Sequence, residues 1–521
     1  MTTPLRILLS LPLCGLLLTA RADETSRQSQ PKPPSPVSLC AQVQNSLKQV
    51  KSSCVSVSSN GYGSGVIISR DGLILTAAHM MRDHDPKKPL QIKLEDHTQV
   101  SAVLLGLNRE TDLALLRITT DSDREWPHCP LAEMAPTTGR FCFTLAHPSG
   151  WLKGRPAQVR IGRITSHSMR QGKPFYLFAD CNIQPGDSGG PLFSIDGKLI
   201  GIASSAANIP GFNIFPAIDQ YHLDKKRLLN SERWGDDAKA PDSPAFTQTS
   251  IDKKVFNRIQ EEFMRRVQIQ YAPTLEFVQK LADETGEVKL NQQDIVDHMT
   301  RDALALANNQ ELSLGLDAPE LILQLPDIPK HAPKAIPLYR GKAHGAFGVL
   351  IDDRHILTKA SLFPKGEAVT IKRAEETIPL QKLAESKQWD IAIYESPNQL
   401  EHQAISWPKD LKPVTAGDLL IYRDRYQRLG WNIACDQARI VSKKLSIGPL
   451  KDKTIISKHR APYPLAIRHA LPLHASDAGT PVFNQNGQFI GIHIARFSRT
   501  LGLIIPAKEL KEECDRLLQQ R

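Results

Sequence analysis

Beyond its first twenty residues the sequence has no apolar run long enough to span a bilayer, which excludes a polytopic membrane protein. It has no CxxC pair and no zinc-ligand spacing, so neither a dithiol centre nor a metal site is expected. It has no glycine-rich phosphate loop and no dinucleotide fingerprint, which leaves nucleotide chemistry without a cradle. Nor is it acidic or repetitive enough to remain unfolded. What is left is a globular chain of 521 residues, 41% hydrophobic and 23% charged. At roughly 100–200 residues per domain, that length holds two to four domains. The formal charge of +10 brings nucleic acid into consideration, but no recognised binding motif accompanies it and none is expected as a partner.

Met1–Arg6 ends in a cation, Ile7–Ala20 is rich in Leu and Ile, and Ala20-Arg21-Ala22 supplies small residues at −3 and −1. This pattern predicts a signal peptide over 1–22, cut after Ala22, and an exported chain, periplasmic or secreted. The run is too short for a spanning helix, so no stable membrane insertion is expected after cleavage. Cys14 follows Leu13, where a lipid-anchor site needs a small residue. Seven cysteines remain, an odd number whose pairing the sequence does not assign.

Residues 23–38 are Pro-rich and read as a flexible leader. Leu39, Val43, Leu47 and Val50 recur at helical spacing. From Val55 to about Ala217 short apolar runs alternate with Gly, Asp, Ser and Pro, an all-β pattern. Residues 223–334 differ: Val255, Phe256, Ile259 and Phe263, with later groups, predict a largely helical insert. It is also acidic, with 11 Lys and Arg against 18 Asp and Glu over 231–330. Short strands return from 335, and Lys508–Gln520 reads as a closing charged helix. Residues 331–521 carry 29 Lys and Arg against 19 Asp and Glu, so the insert is expected to dock on this last part.

Three segments carry chemistry, in one order. Gly63-Ser-Gly-Val-Ile-Ile-Ser leads through Leu73-Ile-Leu-Thr-Ala-Ala to His79; Thr111-Asp112-Leu-Ala-Leu-Leu follows; Gln184-Pro-Gly-Asp-Ser188-Gly-Gly-Pro-Leu-Phe193 closes. A serine hydroxyl is a weak nucleophile and needs a neighbouring base. His79, at the end of an apolar strand, is the candidate base. Asp112 opens an apolar segment, which suits a buried carboxylate that fixes the tautomer of the base. Ser188 is the candidate nucleophile. The glycines around it allow a tight turn whose Gly186 and Ser188 N–H groups form an oxyanion hole.

The order His, Asp, Ser and the wording of these motifs resemble the trypsin-like serine proteases of the HtrA/Deg type. Leu145-Ala-His-Pro-Ser-Gly150 and Asn213-Ile-Phe-Pro-Ala-Ile218 fit the same family, and the likeness runs over 45–220. It implies two six-stranded β-barrels with the triad between them, peptide-bond hydrolysis without a cofactor, and polypeptide substrates. It also implies that Asn182 lies at the base of the primary specificity pocket, where an uncharged residue argues against strict cleavage after Arg or Lys. Some features depart from the family. Asp187 stands where Asn is usual, and no Ile-Val-Gly-Gly start precedes His79, so activation through a new N-terminus is not expected. No PDZ pattern follows, so the family's trimer is not carried over, and a homo-oligomer is left open.

A second, degenerate copy occupies 335–521. Ala346–Ser361 parallels the first motif with one residue deleted, Trp389-Asp-Ile-Ala-Ile-Tyr394 the second, and Ser476–Ile492 the third. Ser361 replaces the histidine, Ala478 replaces the serine, and only Asp390 persists. The copy therefore reads as a pseudoprotease, structural or substrate-recognising. His469 and His474 within it read as surface residues on a strand-to-loop segment. The expected architecture is thus mainly β: two chymotrypsin-like double barrels in tandem, the active one over 39–222. The expected function is an exported serine endopeptidase acting on unfolded or exported polypeptides. The alternative is a chaperone-like polypeptide-binding scaffold with incidental proteolysis.

Overall fold

The computed structural model describes residues 36–235 and 335–520, short breaks apart (the longest 207–212, 424–428 and 443–456), and two strands between them. Residues 1–35, with the predicted signal and most of the leader, lie outside the described residues, as do the predicted helices of the insert. No described helix is long and apolar enough to cross a membrane.

Helix α1 (Pro36–Val50) buries Leu39, Val43, Leu47 and Val50, the face their spacing predicts. The first barrel follows: β1 (Cys54–Ser58), β2 (Tyr62–Ile67), β3 (Leu73–Ala77), β4 (Leu90–Lys93), β5 (Gln99–Asn108) and β6 (Leu113–Ile118). Pairings of β1 with β4 and β5 with β6 close it on itself. Closure removes free strand edges, which explains why β3 is buried along its whole length. The second sheet contains β7 (Phe141–Ala146), β8 (Gln158–Arg170), β9 (Lys173–Ala179), β10 (Pro191–Ser194), β11 (Leu199–Ile202), β12 (Ser205–Ala206) and β13 (Asn213–Pro216). Its order is β11-β10-β7-β8-β9-β13-β12. Strand β8 changes partner along its length: residues 158–163 pair with β7, and from Ile164 onward it pairs with β9.

Helix α2 (Ile218–Leu229) crosses the expected boundary at 222, and β14 (Arg233–Trp234) returns to pair with β5. The first copy therefore packs on through Trp234. Within the insert, β15 (Thr249–Asp252) and β16 (Glu287–Leu290) form an antiparallel pair, between and before the segments read as helical.

The second copy repeats the plan. Strands β17 (Ile336–Arg340), β18 (Ala343–Leu350), β19 (His355–Lys359), β20 (Val369–Arg373), β21 (Glu376–Ser386) and β22 (Ile391–Glu395) form a closed barrel. Strands β23 (Leu419–Arg423), β24 (Leu429–Ile433), β25 (Arg439–Val441), β26 (Tyr463–His469), β27 (Pro481–Phe483), β28 (Phe489–Arg496) and β29 (Gly502–Pro506) form a seven-stranded sheet. Helix α3 (Ala507–Gln519) closes the copy, with Leu510, Cys514 and Leu517 inward. The architecture is mainly β, built from barrel sheets as the resemblance implies.

One apolar cluster spans both copies. Leu419, Ile421, Trp431 and Ile433 join the apolar cluster of α1 and the β7–β13 sheet. Gln44 donates to Asp418 at 2.6 Å, and Val159 N–H reaches the Cys435 carbonyl at 3.3 Å. His469 corrects the surface reading: it is fully buried in β26, and its Nε2 lies 3.1 Å from Nδ1 of His493. A histidine is tolerated there because His493, on β28 beyond the intervening β29, brings it a polar partner.

Candidate active site

Barrel closure lays β6 along β3 in antiparallel register, so Ala77 faces Leu113. That register carries Asp112 to the end of β3, where the chain turns into His79. Asp112 takes a left-handed conformation, φ 58°, and is 5% exposed. Its backbone carbonyl accepts from Ala78 N–H at 3.0 Å. Its Oδ1 accepts from His79 N–H at 2.7 Å, and its Oδ2 lies 2.8 Å from His79 Nδ1. Ser204, just past β11, donates to the same Oδ2 at 2.5 Å. Burial pulls the His79 pKa down, but the Asp112 hydrogen bond and charge outweigh it, and the net shift is upward. With Nδ1 committed to Asp112, Nε2 is the nitrogen left to take a proton.

Ser188 stands in a turn tied on every side. Asp187 N–H donates to the Gln184 carbonyl at 2.9 Å, and Gly190 N–H to the Asp187 carbonyl at 2.8 Å. The Ser188 carbonyl accepts from Ser64 N–H in β2 at 2.8 Å, and the Gly186 carbonyl accepts from Ser64 Oγ at 2.9 Å. Two glycines are required by this packing. At Gly186, φ 96°, a Cβ would strike Ser149 N; at Gly189, φ 82°, it would strike Thr76 Oγ1 and the Ser64 carbonyl. The turn thus lies directly on the ends of β2 and β3, with Gly189 against Thr76 and Ala77, the residues leading into His79. The N–H groups of Gly186 and Ser188 have no partner among the described residues, while the carbonyls of their own peptide groups, Pro185 and Asp187, accept from Ser149 N–H and Gly190 N–H at 2.8 Å each. Ser188 Oγ and His79 Nε2 likewise carry no hydrogen bond, to each other or to another described residue. In unliganded enzymes such contacts often tighten only when substrate arrives.

A half-exposed imidazole oriented by a buried carboxylate therefore stands next to a serine turn with two unengaged N–H groups. Residues 63–202 match the model of the trypsin-like peptidase domain. Over these residues the chain is similar to trypsin-like peptidases. A probable periplasmic serine endoprotease DegP-like of Rickettsia conorii is 32% identical over 164 residues, 29% of this chain and 30% of that protein. Serine protease HTR4 of Rattus norvegicus is 32% identical over 175 residues, 31% of this chain and 34% of that protein. The solved serine endoprotease from Yersinia pestis aligns over 36% of this chain and 66% of that one, with 26% identity and a TM-score of 0.31. The chain spans about a third of the length of the curated relatives it matches.

Two polar residues of this peptidase domain escape motif reading. Ser204 has no sequence mark beyond following Ile202 on an apolar strand. Arg160 lies in β8 as one of several cations, yet it is 1% exposed and its guanidinium meets Asp187 Oδ2 at 2.6 Å. Asn182, the residue expected at the pocket base, is half-buried between Cys181 and Ile183. The Ile183 N–H donates to Asn213 Oδ1 at 3.2 Å, which ties this segment to β13. All seven described cysteines are buried thiols, and Cys142 and Cys181 lie Sγ to Sγ at 3.7 Å.

The second copy keeps the frame with other side chains. Asp390 has φ 55°, and its carbonyl accepts from Ala360 N–H at 2.9 Å. Its Oδ1 accepts from Ser361 N–H at 2.8 Å and its Oδ2 from Ser361 Oγ at 2.9 Å, the pattern of Asp112 with His79. The Ala478 carbonyl accepts from Phe347 N–H at 2.8 Å, as that of Ser188 does from Ser64. Lys359, 1% exposed, then places Nζ 2.5 Å from Asp390 Oδ2 and 3.0 Å from the Tyr463 hydroxyl.

Proposed function

We propose that this protein is an exported serine endopeptidase, periplasmic or secreted, that cleaves unfolded or exported polypeptides through Ser188, His79 and Asp112. The observation that carries the reading is the doubly bonded Asp112–His79 pair beside a turn whose two N–H groups are unengaged. Ser188 Oγ attacks the scissile carbonyl while His79 Nε2 takes its proton. Asp112 holds the proton on Nδ1 and stabilises the imidazolium; Ser204 helps to fix the carboxylate. The oxyanion is received by the N–H groups of Gly186 and Ser188, whose peptide groups are held through the Pro185 and Asp187 carbonyls by Ser149 and Gly190 and need no rearrangement as charge develops. His79 returns its proton to the leaving amine, and water resolves the acyl-enzyme. Asn182 sets an uncharged floor for the primary specificity pocket.

The second copy takes no part in this chemistry: Ala478 has no nucleophilic atom and Ser361 no basic nitrogen. Its role is to pack on the peptidase domain. The test is labelling of the purified chain by a fluorophosphonate, beside Ser188→Ala. Labelling of the native chain alone is expected. Labelling or proteolysis that survives Ser188→Ala would overturn the assignment.

A further inference from the structure

The serine turn hangs on a buried ion pair outside the triad. Asp187 is 0% exposed and sits between the two residues whose N–H groups face the oxyanion. Its Oδ2 accepts from Gln184 N–H at 2.8 Å and from an Arg160 guanidinium nitrogen at 2.6 Å. Arg160 lies on the part of β8 that pairs with β7, opposite Thr144. That part of β8 is fixed on both edges: β7 covers one, and Val159 N–H reaches the Cys435 carbonyl of the second copy at 3.3 Å. The ion pair therefore joins a rigid strand to the middle of a turn with two left-handed glycines, Gly186 and Gly189.

We propose that Arg160 is the positioning residue of the oxyanion hole: through Asp187 it holds the Gly186–Ser188 turn in its competent form in the intact chain, so that no cleavage upstream is needed to form the hole. The proposal rests on the peptidase reading. Neither Arg160 nor Asp187 touches the reacting atoms. Their effect is to orient the peptide planes of 186–188. Ser64 holds the carbonyl side of that turn, and the ion pair holds its side-chain side. A guanidinium with no anion in this dry site is costly, and so is a carboxylate with no cation, so neither partner has an alternative while the turn stays in place. Burial works against the charge on Arg160, but the Asp187 carboxylate more than restores it.

The experiment uses the full chain with Arg160→Lys, Arg160→Met and the double variant Arg160→Met/Asp187→Asn, which keeps an acceptor for Gln184 N–H without a stranded charge. Each is followed by its melting temperature, by kcat and KM on a peptide ester, and by inhibition with a peptide aldehyde, whose hemiacetal oxygen occupies the oxyanion hole. Loss of one oxyanion donor costs about 10²–10³-fold in kcat, and a tilted turn is expected to cost about 10². The expected result for the folded double variant is that loss in kcat and in aldehyde affinity, with KM within about threefold and partial recovery in Arg160→Lys. A double variant with native kcat and native aldehyde affinity overturns the proposal, as does a loss carried by KM alone. Failure of the native chain to react with the fluorophosphonate would instead refute the peptidase reading itself.

Discussion

Asp112→Asn gives the sharpest test of how the site is wired, because the structure fixes which way the new amide must face. In the native site Oδ1 accepts from His79 N–H at 2.7 Å, while Oδ2 faces His79 Nδ1 at 2.8 Å and the Ser204 hydroxyl at 2.5 Å. The backbone N–H can only donate, so the amide oxygen takes the Oδ1 place and the NH₂ takes that of Oδ2. The amide then donates to Nδ1. The imidazole must carry its proton on Nε2, the nitrogen that should accept the proton of Ser188. The variant thus keeps the packing and reverses the tautomer. Such a reversal is expected to lower kcat by about 10⁴-fold, close to 5.4 kcal/mol at 1.36 kcal/mol per tenfold. Ser204→Ala, which removes one donor and reverses nothing, is expected to cost about tenfold or less, near 1 kcal/mol for one hydrogen bond. The assays are kcat/KM on a peptide ester and the rate of fluorophosphonate labelling, with the melting temperature as a check on folding. A loss under about tenfold in a folded Asp112→Asn protein would refute the argument, since His79 would then not depend on Asp112 for its tautomer.

Activity and stability should respond to pH with opposite slopes through His79. Its folded pKa is raised, so kcat/KM is expected to fall on acidification through a value above the usual 6.5, tenfold per unit at the limit. The stability that the charged pair contributes is complete below the unfolded pKa and is lost as pH rises through the folded one. His79→Gln should abolish both trends; a melting-temperature profile identical to that of the native chain would contradict the second. In a Ser188→Ala background, Ala478→Ser is expected to give no fluorophosphonate labelling, because the new serine meets Ser361 where a base is needed. Any labelling would show that the second copy can be awakened by one hydroxyl.

The triad segments were legible because each residue belongs to a local pattern: His79 ends an apolar strand, Asp112 opens one, and Ser188 lies among glycines that only a tight turn uses. Their assembly depends on the β3–β6 register, which barrel closure sets and which the periodicity of both strands foreshadows. Arg160 and Ser204 were not legible. Their partners lie 27 and 92 residues away, and nothing local distinguishes a buried arginine in β8 from its exposed neighbour Arg170. The boundary at 222 failed for a related reason. Leu228 is buried, so the core face of α2 continues past the point where the strand pattern stops. The surface reading of His469 failed because only the fold brings His493 against it.

Comparison of the two copies separates what the fold needs from what the chemistry needs. Asp112 and Asp390 share the left-handed backbone, the carbonyl bond to the preceding strand end and the Oδ1 bond to the next turn. In the second copy Ser361 and Ala478 stand where the first has His79 and Ser188, yet these features are kept. They are the means by which a β3-type strand end is fastened to a β6-type strand start: the residue's carbonyl satisfies one backbone N–H and its carboxylate a second, which would otherwise be buried without partners. The price of keeping a carboxylate in such a dry place is a charge that needs a counterpart. In the first copy His79 Nδ1 meets it. In the second, Ser361 cannot, and the buried Lys359 brings a permanent cation to Asp390 Oδ2. Burial presses the Lys359 pKa down and Asp390 opposes it. Lys359 thus occupies the carboxylate oxygen that His79 faces in the first copy, and Ser361→His alone is not enough to build an acid–base pair while Lys359 holds that oxygen.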